Sequence, residues 1–205
     1  MIDEKSNLTT IDALIQRKQP FAVYRVPGEK YPRLLTEDVG AVRLIFDLKE
    51  LNGQRGFVIA PFRPNETCPI LLIQSNGPGQ PLLLADDADA VPRDIPSTDY
   101  PSCSEEYAEC FRTFISALRD KTFEKLVLSR KLTIGKPSAF SPSLAFRAAC
   151  QRYIHSYIYL CYTPQTGIWL GSTPEIILSG EKDDWHTVAL AGTQPLQDGK
   201  LPQVW

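Results

Sequence analysis

Three segments of this 205-residue chain place ionisable or small residues in apolar surroundings where they could do chemistry. The first is Phe123-Glu124-Lys125-Leu126-Val127-Leu128-Ser129-Arg130. On an extended strand, Lys125, Val127 and Ser129 share one face and Leu126, Leu128 and Arg130 the other. A lysine at the mouth of an apolar strand can be desolvated, which favours the neutral amine and lets it act as a base. Taken alone, the segment reads more simply as a strand-end lysine reaching out to water. The second is Gly171-Ser172-Thr173-Pro174-Glu175. Pro174 lacks a ladder donor, so a strand here must lie at an edge or break. Such a break can present Glu175 into a cleft, where a partly buried carboxyl could donate a proton. Taken alone, an exposed glutamate in a turn is the simpler reading. The third is Val188-Ala189-Leu190-Ala191-Gly192-Thr193. Its small residues permit close approach of backbone to a ligand, and the Thr193 hydroxyl with nearby N–H groups can hold a carboxylate. A strand ending in a glycine turn explains the same residues.

The elements that must position these residues are legible in part. Phe21 to Val26, Gly56 to Ala60 and Ile70 to Ile73 are short apolar runs bounded by Pro, Gly and Asn, and they read as strands. Residues 8–17 suit a short helix. The stretch Asp86 to Pro101, rich in Asp and Pro, reads as a linker. Ser102 with Glu105 makes a capping-box pattern, and Tyr107, Phe111, Phe114 and Leu118 then fall on one helical face. Ser141-Pro142 opens a second helix, an N-cap followed by proline in the first turn, running to about Tyr153. Further strands are expected at Leu126 to Ile134, Ser156 to Tyr162, Gly167 to Leu170, Ile176 to Leu178 and Thr187 to Leu190. Helices mixed with many short strands imply an α+β fold, an α/β sandwich with a mostly antiparallel sheet. Two regions are expected: a β-rich subdomain over 1–95 and the start of a catalytic region over 96–205. The loop from Gly192 to Trp205 leads on from a strand into nothing, so the chain reads as cut short.

Composition narrows the classes. A net charge of -2 and a pI near 5.7 do not suggest nucleic acid as a partner. No apolar run approaches the roughly 18 residues of a membrane span, and the polar start Met1-Ile2-Asp3-Glu4-Lys5 is not followed by a signal-peptide core. Five scattered cysteines, odd in number and without a CxxC pair, point to a reducing cytoplasm rather than a disulfide scaffold. Only His155 and His186 occur, neither beside a second ligand in sequence, so no zinc site is expected. Neither GxGxxG nor GxxxxGK[ST] is present, so no phosphate-cradling loop is expected.

In order, Lys-Leu-Val-Leu-Ser-Arg, Gly-Ser-Thr-Pro-Glu and Ala-Leu-Ala-Gly-Thr resemble the chorismate-binding enzymes. Lys125 lies 50 residues before Glu175, and Glu175 lies 17 before Gly192. The family includes isochorismate, salicylate, anthranilate and aminodeoxychorismate synthases. The resemblance implies that Lys125 is the general base activating water for attack at C2 of chorismate. It implies that Glu175 is the general acid protonating the departing C4 hydroxyl, and that Ala191, Gly192 and Thr193 contact the substrate carboxylate. All five are then expected to line one cleft. Members that add ammonia typically lack a lysine at the position of Lys125, and aminodeoxychorismate synthase carries a lysine nucleophile where Ala191 stands here. Water addition is therefore favoured, which points to isochorismate synthase, feeding menaquinone or siderophore synthesis. Salicylate synthase shares both features, and an anthranilate synthase component is a further alternative. The resemblance also implies Mg²⁺, held by glutamates of a following half in proteins roughly twice this length. These 205 residues are thus expected to lack a metal site, to be inactive alone and to self-associate through exposed edges. The reading from a different class is a non-catalytic fragment that binds a partner.

Overall fold

The structure is a computed structural model, and it describes residues 4–36, 42–83, 105–131, 133–136 and 140–187. The chain divides into two compact units, Met1–Ala90 with Ser141–Trp205, and Val91–Phe140.

The first unit opens with α1 (Glu4–Gln16), followed by β1 (Phe21–Arg25), β2 (Arg33–Thr36) and β3 (Arg43–Ile45). A 3₁₀ turn at Leu48–Leu51 leads to β4 (Gly56–Ile59), β5 (Ile70–Gln74) and β6 (Gln80–Pro81). Asp47 and Glu50 close that 3₁₀ turn with a reciprocal capping box. The second unit carries α2 (Glu105–Arg119). The first unit resumes with α3 (Pro142–Arg152), β7 (Tyr157–Thr163), β8 (Gly167–Thr173), β9 (Ser179–Glu181) and β10 (Asp184–His186).

Every strand pairing among the described residues is antiparallel, and the fold is α+β. The five-stranded sheet runs β6-β2-β1-β7-β8, the three-stranded sheet β3-β5-β4, and β9 with β10 forms a hairpin. Strands from both ends of the chain share the larger sheet, because β1 pairs with β7 from Phe21↔Tyr162 to Arg25↔Ile158.

Alternation along β1 and β7 sends apolar side chains to both faces of this sheet. Phe21, Val23, Ile158 and Leu160 pack with Ile11, Leu14, Phe146 and Cys150 of α1 and α3. Ala22 and Cys161, on the other face, pack with Leu71 and Ile73 of β5. The unit therefore has three layers, helices over sheet over sheet. At roughly 25 cal/mol per Å² of apolar surface removed from water, these two interfaces are its main source of stability.

α3 is held at both ends. Ser141 is its N-cap, accepting from the Leu144 amide at 3.3 Å. Asp12 of α1 accepts from the hydroxyls of Ser141 (3.2 Å) and Ser143 (2.8 Å). At the other end, buried Arg25 donates to the carbonyls of Cys150 (2.7 Å), Tyr153 (2.5 Å) and Ser156 (3.2 Å). A cation satisfying terminal carbonyls complements the helix dipole as well as its orphan acceptors.

The expected strand over Leu126 to Ile134 does not form a ladder: the described residues 123–131 and 133–136 carry no regular secondary structure. Strand backbone needs a hydrogen-bonding neighbour, and no described segment of the second unit supplies one. Exposure still alternates there, with Leu126 and Leu128 half-buried between exposed Lys125, Val127 and Ser129. Nor is Ile176 to Leu178 a strand. The hairpin starts at Ser179, turns at Lys182-Asp183 with Lys182 at φ 57°, and leaves Ile177 and Leu178 exposed. Its second strand ends at His186, before Thr187, and residues 188–190 lie outside the described residues. So do the linker-like stretch 86–101 and Ser102 of the expected capping box, although α2 does begin at Glu105.

Candidate functional site

Two of the five expected site residues can be placed. β8 pairs with β7 from Tyr157↔Thr173 to Thr163↔Gly167 and is an edge strand among the described residues. It ends at Thr173, where Pro174 could not have donated to a ladder. The Thr173 hydroxyl then accepts from the Glu175 amide at 3.1 Å, a side-chain-capped turn that fixes how the backbone leaves the sheet. The Glu175 side chain is exposed. Lys125 is also exposed, and it lies in the second unit, six residues after the last residue of α2. α2 ends with Lys121 in the left-handed region at φ 56°. In the same unit the Arg130 guanidinium sits over the Tyr107 ring, 5.6 Å from its centroid. Ala191, Gly192 and Thr193 lie outside the described residues.

The face of β8 that carries Thr173 also carries Trp169 and Gly171, and it borders a half-open cleft of about 730 Å³. Tyr157, Tyr159 and Cys161 of β7 line it from the larger sheet, and Phe57, Ile59 and Leu71 from the smaller. The volume suits a small molecule, and the lining is mostly apolar and aromatic. Four rings form a chain beside it: Tyr24 to Tyr157 at 5.8 Å, Tyr157 to Tyr159 at 6.4 Å, Tyr159 to Phe57 at 6.0 Å and Phe57 to Tyr24 at 6.3 Å. Gly171 is required for this arrangement, since a Cβ there would overlap the Tyr159 ring. Burial pushes the Tyr157 phenol well above its ordinary value, reinforced by Tyr24, Cys161 and Tyr159. Tyr159 is raised by burial and then by Cys161, and burial takes the Cys161 thiol up to about 11. The cleft thus presents neutral hydroxyls that can donate and accept, beside rings that can cover a planar group. Sequence reasoning passed over it. Its signal was the alternation Tyr157, Tyr159, Cys161 on one face of a correctly expected strand.

Residues 85–201 match the family described as "Chorismate binding enzyme". The chain belongs to the chorismate-binding enzyme family. The match spans Lys125, Glu175 and residues 191–193 together with α2, α3, β7 and β8, while α1 and β1–β6 precede it. No curated protein and no solved structure matches the chain. As a chorismate-binding family member, the chain is expected to act on chorismate, a small molecule. Among the described residues no three His, Cys, Asp or Glu side chains come together to hold a metal. Among the described residues, too, no helix is long and apolar enough to cross a membrane.

Proposed function

We propose that this member of the family is an isochorismate synthase, in which Lys125 is the general base and Glu175 the general acid. The observation that supports it most is the ordered pair itself: Lys125 and Glu175 both fall inside the family match, with Ala191 in place of a lysine nucleophile. Neutral Lys125 takes a proton from water as its oxygen bonds to C2 of the ring. The ring double bonds shift, and the C4–O bond breaks as protonated Glu175 delivers a proton to the departing hydroxyl. Water enters and water leaves, so the change is an isomerisation, and solvent returns Lys125 and Glu175 to their starting protonation states. The hydrogen bond that the Glu175 amide donates to the Thr173 hydroxyl fixes the backbone from which the proposed acid extends. The reading places the protein in the cytoplasm, serving menaquinone or siderophore synthesis. Residues 191–193 would hold the substrate carboxylate. The same constellation serves a salicylate synthase.

The reading of another class, a non-catalytic chain that binds a partner, is favoured by two observations. Lys125 and Glu175 are both exposed, and they belong to different compact units of the chain.

Product analysis separates these readings. The 205 residues joined to a magnesium-binding half of the family are incubated with chorismate and Mg²⁺, with and without ammonia, and the products are resolved by chromatography; the 205 residues alone are expected to give none. Isochorismate formed without ammonia, and lost in both Lys125→Ala and Glu175→Gln, is the expected result. Ammonia-dependent anthranilate refutes the assignment, and salicylate as the main product moves it to the sister activity. No product under any condition favours the non-catalytic reading.

A further inference from the structure

The edges of the two larger sheets are not equally protected. Exposed edges invite pairing with another strand, and proteins blunt them with brevity, proline or charge. β6 has two residues, one of them Pro81. β3 has three residues and carries Arg43, paired with Glu50 at 3.5 Å. β4 has four residues and is flanked by Arg55 and Pro61. β8 has seven, Gly167-Ile168-Trp169-Leu170-Gly171-Ser172-Thr173, without charge or proline. Ile168, Trp169 and Leu170 are 42%, 54% and 42% exposed at consecutive positions, so apolar surface lies open on both faces of the strand. Among the described residues no strand pairs with the outer side of β8.

The order of residues along β8 says what fits there. Its first half is bulky, Ile168-Trp169-Leu170, and its second half small, Gly171-Ser172-Thr173. A second copy laid antiparallel about Leu170 sets Ile168 against Ser172, Trp169 against Gly171 and Gly167 against Thr173, with Leu170 facing itself. Large meets small at Ile168–Ser172 and Trp169–Gly171, so the facing side chains interdigitate instead of colliding. Beyond the strand, Glu175 falls opposite Gln165, so no like charges oppose. A parallel in-register pairing would instead stack bulk on bulk.

We propose that β8 is a self-pairing edge: two copies of this chain join β8 to β8, antiparallel about Leu170, into one continuous ten-stranded sheet. The contact is two-fold and closed, so it ends at a dimer. A seven-residue edge, about 24 Å long at ~3.4 Å per residue, makes a small interface. The dimer is therefore reversible and concentration-dependent. This inference is independent of the catalytic reading.

Sedimentation velocity of the full chain over a wide concentration range is expected to show a monomer–dimer equilibrium. Leu170→Lys and Leu170→Glu each place two like charges at the two-fold axis, and each is expected to weaken association at least 100-fold. An equimolar mixture of the two restores the dimer by opposing unlike charges. A wild-type chain that stays monomeric throughout overturns the proposal. So does dimerisation that persists in both variants, or a mixture that stays monomeric while both variants keep the wild-type circular dichroism. Should either variant fail to fold, amide exchange on the wild-type chain decides. Protection of β8 amides that rises with protein concentration supports the pairing, and concentration-independent exchange overturns it.

Discussion

α3 and α2 are both amphipathic helices, and they are held in opposite ways. α3 is the shorter at 11 residues, yet Ser143, Phe146, Arg147 and Cys150 are buried, Ser141 and Asp12 hold its start, and Arg25 closes its end. α2 has 15 residues and buries none of them fully; Phe111 is 49% exposed. Acidic Glu105 and Glu106 in its first turn and Arg119 in its last agree with the helix dipole. The Glu109–Arg112 ion pair on its surface adds only a few tenths of a kcal/mol. Local sequence can shape a helix, but tertiary contacts supply most of its stability. α3 is therefore held by tertiary contacts, and α2, among the described residues, by local ones.

The largest expected difference is in the cost of removing a ring. Phe146→Ala should destabilise the first unit by roughly 3–5 kcal/mol, because Phe146 is fully buried in the helix–sheet layer. Phe111→Ala on α2 should cost well under about 1 kcal/mol. Urea denaturation followed by circular dichroism measures both, and equal costs would break the contrast.

Arg25→Met should come next, at about 2–3 kcal/mol, since it leaves the carbonyls of Cys150, Tyr153 and Ser156 without their charged donor. Loss of amide-exchange protection should be greatest at the last turn of α3 and small on α2.

Alkaline pH should destabilise the first unit. Burial raises the Cys150 thiol to about 11 against an opposing pull from Arg25, and burial likewise raises Cys161 to about 11. In both cases the folded state keeps a proton that the unfolded chain releases near pH 9. This contribution is complete below that pH and is lost as the pH rises through 11, to the extent of at most about 3 kcal/mol per thiol. Thiol labelling at pH 8 sharpens the point: exposed Cys68 and Cys110 should react at least tenfold faster than buried Cys150 and Cys161.

The smallest expected effect is at the cap. Ser141→Ala should cost about 1 kcal/mol by freeing the Leu144 amide and one contact to Asp12. Ser141→Asp, which could cap equally well, would meet the Asp12 carboxylate and should not restore stability. Full rescue by aspartate would show that Asp12 plays no part in holding this helix end.

Most of what the sequence determined by itself was local. The α3 boundary was legible because Ser141-Pro142 combines a capping hydroxyl with a residue that needs no donor. The break after β8 was legible because Pro174 cannot join a ladder, and β1, β4, β5 and β7 showed as short apolar runs between breakers. The three ordered motifs sufficed for the family, which the match over 85–201 then showed. Tertiary structure decided the rest, because pairing and burial depend on residues far apart in the chain. Arg33–Thr36, Arg43–Ile45 and Gln80–Pro81 carry weak strand signals of their own, and they become strands through partners in β1, β5 and β2. Leu126 to Ile134 has the opposite history: a good strand pattern and no ladder among the described residues, since a strand is made by its neighbour's hydrogen bonds as much as by its own side chains. The aromatic cleft was legible only on its β7 side, because Phe57 and Tyr159 are about a hundred residues apart and meet only when one sheet packs on the other.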